Sequence, residues 1–309
     1  MTPKQRVIAA LELRQPDDIV PTFELEFQLS GEFLGKDFVD LEHLSGTELE
    51  RGIKHNAELW VEIAERLDYS IIRSGDVRII KEWVEMGVAD TYLICGNADG
   101  TLGIPTGEDM TELSYRLFYE ADQLKRELDR KAEEAIGSGR AQIEAGAECL
   151  TMCTDYCFNA GPFLSPKMFA EFVTPYLHRI IEAFRSYGAY VIKHTDGDIM
   201  PILGQLVACR PHALHSLDPQ AGVDIAEVKR LVGDRICLAG GVNCGLIQTG
   251  TEEQVRQDAI YALTHGKPRG GYIFCTSNVV FKGMPLERYL MILGLRREYG
   301  RYLKNGEGF

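Results

Sequence analysis

The sequence lacks any apolar run approaching the roughly 18 residues that a membrane-spanning helix requires, so membrane-embedded functions are not expected. It also lacks a basic excess. Lys and Arg number 33 against 46 Asp and Glu, a formal charge of −13, and no dense basic patch interrupts that balance. Nucleic acid and anionic membranes are therefore poorly matched partners. The first residues, MTPKQRVIAALELRQPDDIV, hold an apolar stretch too short and too interrupted for a secretory signal. With eight cysteines scattered along the chain, this points to reduced thiols in a cytoplasm, not a disulfide frame. Repeats and low-complexity segments are absent. The glycine pairs near 240 and 266–271 lack the strand-glycine-helix spacing of a phosphate loop, so no nucleotide cofactor is expected.

What is present is an ordinary core composition, 45% apolar and 26% charged over 309 residues, enough for one α/β barrel spanning 1–309. An N-terminal helix opens with Thr2 as cap and Pro3 at the first helical position, and Pro16 stops it. Residues 18–27, DIVPTFELEF, alternate as a strand: Phe23, Leu25 and Phe27 share one face, Glu24 and Glu26 the other. If the aromatic face packs on outer helices, both carboxylates enter the barrel as candidate catalytic groups. In a shifted register, or with Glu24 paired to Arg73, they do not. A helix over 45–67 and a strand over 69–75 follow. The glycine-rich stretch 82–107 predicts a β-hairpin excursion, and 122–145 a long charged helix.

From residue 148 onward five strand-then-helix units succeed one another, with strands at 148–154, 189–194, 213–217, 236–239 and 272–275. That order predicts a parallel sheet closed into a (β/α)8 TIM-type barrel as a single domain. Seven strands are counted, leaving the eighth inside the glycine-rich excursion or missing. Each late strand ends in polar residues: Asp155, Tyr156 and Asn159; His194, Asp196 and Asp198; His215 and Asp218; Asn243 and Cys244; Cys275, Ser277 and Asn278. Barrels keep their chemistry at this rim. His194 and Asp196, two apart on a strand, project from one face, and with a thiolate from Cys275 they would form a zinc site with an open position. The bland alternative is a core histidine held by a carboxylate. Cys149, Cys153 and Cys157 run from strand into loop, which scatters them as packed thiols instead of gathering a cluster.

The segments FNAGPFLSPKMFA (158–170), VIKHTDGDIMPIL (191–203), HSLDPQAGVDIAEVK (215–229), GDRICLAGGVNC (233–244) and GYIFCTSN (271–278), in that order, resemble the uroporphyrinogen decarboxylase superfamily. The resemblance implies a (β/α)8 barrel and two chemistries. The decarboxylase branch carries arginines after the first strand to grip porphyrinogen carboxylates. Here FELEFQLSGEF holds that place, and Glu24 and Glu26 would repel such a substrate. The other branch resembled here comprises cobamide-dependent methyltransferases, whose zinc is held by a His-x-Cys pair and a late cysteine. In that light His194, Asp196, Asp218 and Cys275 are the implied metal ligands, with Asp196 in place of a thiolate. A carboxylate leaves zinc more electrophilic, suited to a methyl ether rather than a thiol. The resemblance then implies O-demethylation: methyl transfer from a methoxylated small molecule to a cobamide carried by a separate corrinoid protein. Glu24, Glu26 and Asp155 would serve as catalytic groups, and Tyr156, Asn159, His215, Asn243 and Asn278 would contact substrate. It also allows a homodimer. A porphyrin carboxy-lyase and a non-catalytic metal- or ligand-binding barrel are the competing expectations.

Overall fold

In the computed structural model, which describes residues 1–302, the strands are β1 (Ile71–Arg73), β2 (Leu93–Asn97), β3 (Cys149–Met152), β4 (Cys157–Phe158), β5 (Gly161–Pro162), β6 (Tyr190–His194), β7 (Ala213–Ser216), β8 (Cys237–Gly240) and β9 (Tyr272–Ile273). Residues 303–309 of the expected 1–309 domain lie outside the described residues. Strands β1, β2, β3, β6, β7, β8 and β9 form one parallel sheet in that order, while β4 and β5 make a small antiparallel hairpin. Segment 19–27 closes the cylinder. Ser70 N–H donates to Thr22 O at 2.7 Å on one side, and Phe274 N–H donates to Pro21 O at 2.9 Å on the other. Parallel bridges join Thr22 to Phe274 and Phe27 to Val280. Bonding along this stave is intermittent, as expected where Pro21 offers no N–H. The expected (β/α)8 barrel is thus complete.

The missing strand does lie in the glycine-rich stretch, but the predicted hairpin does not form there. Leu93–Asn97 instead pairs in parallel with β1 and β3. Its residues are buried on both faces, as a central parallel strand must be. Gly96 allows a close approach: a Cβ there would collide with Gln142 on the helix Ala121–Glu144. The Gln142 amide accepts from Asn97 N–H at 2.7 Å and donates to Asn97 O at 2.9 Å, tying helix to strand. The N-terminal helix Pro3–Leu11 begins with a capping box between Thr2 and Gln5 and ends before Pro16. It inserts Val7, Ala10 and Leu11 into the barrel's inner cluster.

Two apolar layers fix the phase of every strand. Ile71, Leu93, Cys95, Cys149, Ile192, Ala213, Cys237, Ala239 and Ile273 fill the interior. Ile72, Ile94, Leu150, Val191, Leu214 and Leu238 face the surrounding helices. Phe23 and Leu25 belong to the inner set and Phe27 to the outer, so of the two orientations open to 18–27 the structure takes the one that keeps the carboxylates out of the barrel. Glu24 therefore points out of the barrel. It is 2% exposed, accepting from Thr276 N–H at 3.1 Å and from Tyr289 O–H at 3.2 Å. Burial pushes its carboxyl up to about 8, so it is protonated at neutral pH and stands behind the wall, not in the site. Nor does it meet Arg73. Glu26 is exposed and accepts from the Gln28 amide at 2.8 Å.

Lys193 also faces outward, fully buried, and pairs with Asp99 at 2.9 Å. It donates to Thr154 O at 2.9 Å and Met152 O at 3.3 Å, and its ammonium lies 4.3 Å from the Tyr156 ring centroid. Burial opposes ionisation of Asp99, but the Lys193 charge and hydrogen bonds prevail and hold it below the usual carboxylate range. Removing one member of such a pair leaves the other charge buried and alone. Lys193→Met is expected to lose about 3–5 kcal/mol of stability, measured by urea denaturation. A loss under about 1 kcal/mol would show that the ammonium is dispensable.

Among the described residues no helix is long and apolar enough to cross a membrane, and all eight cysteines are free.

Candidate metal centre at the barrel mouth

At the C-terminal ends of β3, β6 and β7 the inward phase delivers Asp155, His194 and His215. His194 is aligned with His215 in the β6–β7 register. Their Nδ1 atoms lie 2.8 Å apart, and His215 Nε2 lies 3.1 Å from Thr276 O. A carbonyl only accepts, so His215 carries its hydrogen on Nε2. Burial lowers His215 to about 3 and holds His194 well below the ordinary histidine range, so both rings are neutral. His215 Nδ1 is then a bare acceptor, His194 donates to it through Nδ1–H, and His194 Nε2 is left with a free lone pair.

That lone pair faces two carboxylates, Asp155 Oδ1 at 3.6 Å and Asp196 Oδ1 at 3.7 Å. Ligand atoms of Asp155, His194 and Asp196 all lie within 4.8 Å of one another. Asp196 N–H donates to Asp155 Oδ1 at 3.0 Å, and the Asn278 amide donates to Asp196 Oδ2. Asp196 Oδ1 is buried without a hydrogen-bond partner. Burial, reinforced by the adjacent Asp155, raises the Asp196 carboxyl to about 7. Three electron-pair donors thus converge, an arrangement that a divalent cation stabilises. Gly197, at φ +82°, lets the following turn press against the hairpin, where a Cβ would collide with the Cys157 carbonyl.

The structure therefore gathers His194 and Asp196 with Asp155, a residue anticipated at the rim but not as a ligand. Asp218 and Cys275 are not part of the group. Asp218 caps the 3-10 turn Pro219–Ala221, accepting from Gln220 N–H at 3.0 Å. Cys275 faces inward but lies in the apolar interior with Phe23 and Cys237. Its Sγ is 3.8 Å from Ile273 O, and burial pushes its thiol up.

Of the five residues expected to contact substrate, only Asn278 reaches the cluster directly. His215 stands behind His194 as its orienting partner. Tyr156 is fully buried in the wall, its hydroxyl 2.6 Å from Thr101 Oγ1. Asn159 is exposed in the turn between β4 and β5. Asn243 caps the helix Cys244–Thr249, accepting from Leu246 N–H at 3.1 Å. The sequence reading missed Lys193 with Asp99, and it missed Arg73 as an inward group; a cation inside each of the apolar runs VIKH and SIIRS was the available signal.

His215 would act on a bound metal only through His194. His215→Phe, which fits beside Phe23 (ring centroids 5.9 Å apart now), removes the acceptor that fixes the His194 tautomer. Zinc affinity is expected to fall about 10–100-fold, measured by competition with a chromogenic chelator. Unchanged affinity would remove the relay.

A closed (β/α)8 barrel with an imidazole–carboxylate cluster at its C-terminal mouth is the layout of a barrel enzyme. The pattern of the uroporphyrinogen decarboxylase (URO-D) family matches residues 57–299, and the chain belongs to that family. Curated relatives include uroporphyrinogen decarboxylases of Pseudoalteromonas translucida (strain TAC 125), 26% identical over 191 residues, and Aeromonas salmonicida (strain A449), 26% identical over 194. Each alignment covers 60% of this chain and 48% of the relative, so the chain spans about half the length of the curated relatives it matches. A methyltransferase from Methanosarcina mazei, 17% identical, superposes with a TM-score of 0.74 over 96% of this chain and 98% of that one, which shows the shared fold.

Proposed function

We propose that the protein is a methyltransferase that takes a methyl group from a methoxylated small molecule, aromatic donors included, and passes it to a separate corrinoid protein. The observation that carries this reading is the convergence of Asp155, His194 and Asp196, with the unprotonated Nε2 and the unpartnered Asp196 Oδ1 facing each other. Those three residues would hold zinc. When bound, zinc supplies a Lewis acid for an ether oxygen and the partner's cobamide a methyl acceptor. The donor set of one imidazole and two carboxylates, without a thiolate, favours an electrophilic metal over one tuned to activate thiols. The chain's own residues prepare the site. His215 keeps Nε2 of His194 bare, Asn278 anchors one oxygen of Asp196, and the Asp155 side chain, 44% exposed, presents the open side to substrate. Similarity of fold to the Methanosarcina methyltransferase supports the reading without deciding the donor.

The decarboxylase reading draws on the names of the curated relatives. Against it, residues 23–33, FELEFQLSGEF, contain no arginine where that branch would place its own. One experiment separates the readings: purified protein is incubated with reduced corrinoid protein and a panel of methoxylated donors, and separately with uroporphyrinogen. We expect formation of methylated corrinoid, followed by its absorbance, and no change in the porphyrinogen. Porphyrinogen turnover without added protein would establish the decarboxylase. Donor binding without methylated corrinoid would leave a binding barrel.

A further inference from the structure

The mouth also holds a cation with no counter-charge. Arg73 ends β1 and, by the phase that Ile71 sets, points inward. Its guanidinium donates to Thr151 Oγ1 at 2.8 Å, Leu25 O at 2.9 Å, Asn97 Oδ1 at 3.0 Å and Cys153 Sγ at 3.6 Å. Every one of these acceptors is neutral, and among the described residues Arg73 makes no ion pair. Elsewhere in the barrel Arg6, Lys193 and Arg296 are each answered by a carboxylate. A guanidinium has five N–H donors. Four are accounted for, one on Nη1 is unused, and the contact to sulfur is the longest and weakest. Arg73 is half-buried, so an incoming ligand can reach it.

We propose that Arg73 anchors an anionic group of the substrate, a carboxylate or sulfonate borne on the methyl donor. Thr151, Asn97 and the Leu25 carbonyl fix the guanidinium from behind, leaving the spare Nη1–H and the sulfur-facing Nη2–H for the anion. Cys153 touches Arg73 and lies two residues before Asp155, so the anchor and the imidazole–carboxylate cluster share one mouth. Arg73 is the one of the two without a counter-charge, so a donor with one acidic end has a favourable orientation in which that end meets Arg73 and its ether lies toward His194. The inference rests on this mouth being the substrate site, whatever reaction follows.

The test is calorimetric titration of the purified, zinc-loaded chain with 4-methoxybenzoate, 4-methoxybenzenesulfonate and neutral 4-methoxybenzyl alcohol. At least one anion is expected to bind about tenfold or more tighter than the alcohol. Arg73→Met abolishes the preference, and Arg73→Lys keeps part of it. Equal affinities, no binding by either anion, or a preference that survives in Arg73→Met overturns the assignment. Should Arg73→Met fail to fold, sulfur anomalous scattering from the sulfonate in crystals of the native chain decides: density within hydrogen-bonding reach of the guanidinium supports the anchor, and density elsewhere ends it. Failure of methyl transfer would leave these binding results unchanged, so the two readings fail separately.

Discussion

His194→Ala is expected to lose zinc by more than the about 10–100-fold that removal of an orienting partner costs, and methyl transfer should fall with it. Nε2 is the site's single nitrogen donor, and the two carboxylates that remain are a weak pair of hard ligands for zinc. Because His194 is buried and holds His215, a companion change keeps the test clean. Asp196→Asn preserves shape and the contact with Asn278 but withdraws the charge and one lone-pair donor, and it should also release the metal. Cys275→Ser should keep zinc at the native level, since its sulfur belongs to the apolar interior with Phe23 and Cys237. Metal analysis of the four proteins gives the answer. Loss of zinc in Cys275→Ser together with retention in Asp196→Asn would replace the carboxylate site with a thiolate one.

The second large effect concerns stability and comes from Glu24. Its carboxyl is raised from 4.5 to about 8 by burial, so the folded chain binds the proton more tightly than the unfolded chain. The stabilisation is complete below pH 4.5 and is lost as pH rises through about 8. At up to about 1.4 kcal/mol per pH unit, the window amounts to about 4–5 kcal/mol. Glu24→Gln imitates the protonated acid. Its carbonyl can accept from Thr276 N–H and Tyr289 O–H, and its amide can donate to the Thr276 hydroxyl. The variant should match the native protein in Tm near pH 5 and exceed it increasingly up to pH 9. Parallel Tm profiles across that range would mean that Glu24 does not titrate in the folded state.

The same residue shows where sequence reading stops. Alternation in FELEF separates Phe23 and Leu25 from Glu24, but a strand in a closed parallel barrel is buried on both faces, so period two cannot say which set looks inward. Only packing against Cys237, Ile273 and the N-terminal helix decides. The late strands were legible because each ends in a polar rim residue and leads into a helical segment. β2 was not, because Gly96, which allows the close approach of Gln142, looks locally like a turn former. At the site, His194 and Asp196 were visible through their spacing. Asp155 was visible as a rim residue and a candidate catalytic group but not as a metal donor, since its nearness to them depends on the β3–β6 register. Cys275 shares their inward phase but not their surroundings, and phase alone does not distinguish mouth from interior. Lys193 lay one position from the candidate ligand His194, yet its partner Asp99 follows a strand hidden in the glycine-rich stretch.

Anomalous diffraction at the zinc edge, on crystals grown with stoichiometric zinc, tests the central claim most directly. A peak is predicted within about 2.0–2.2 Å of His194 Nε2 and of one oxygen each from Asp155 and Asp196, with Cys275 Sγ outside bonding distance. A peak bonded to that sulfur, or no ordered metal between the three side chains, would contradict it.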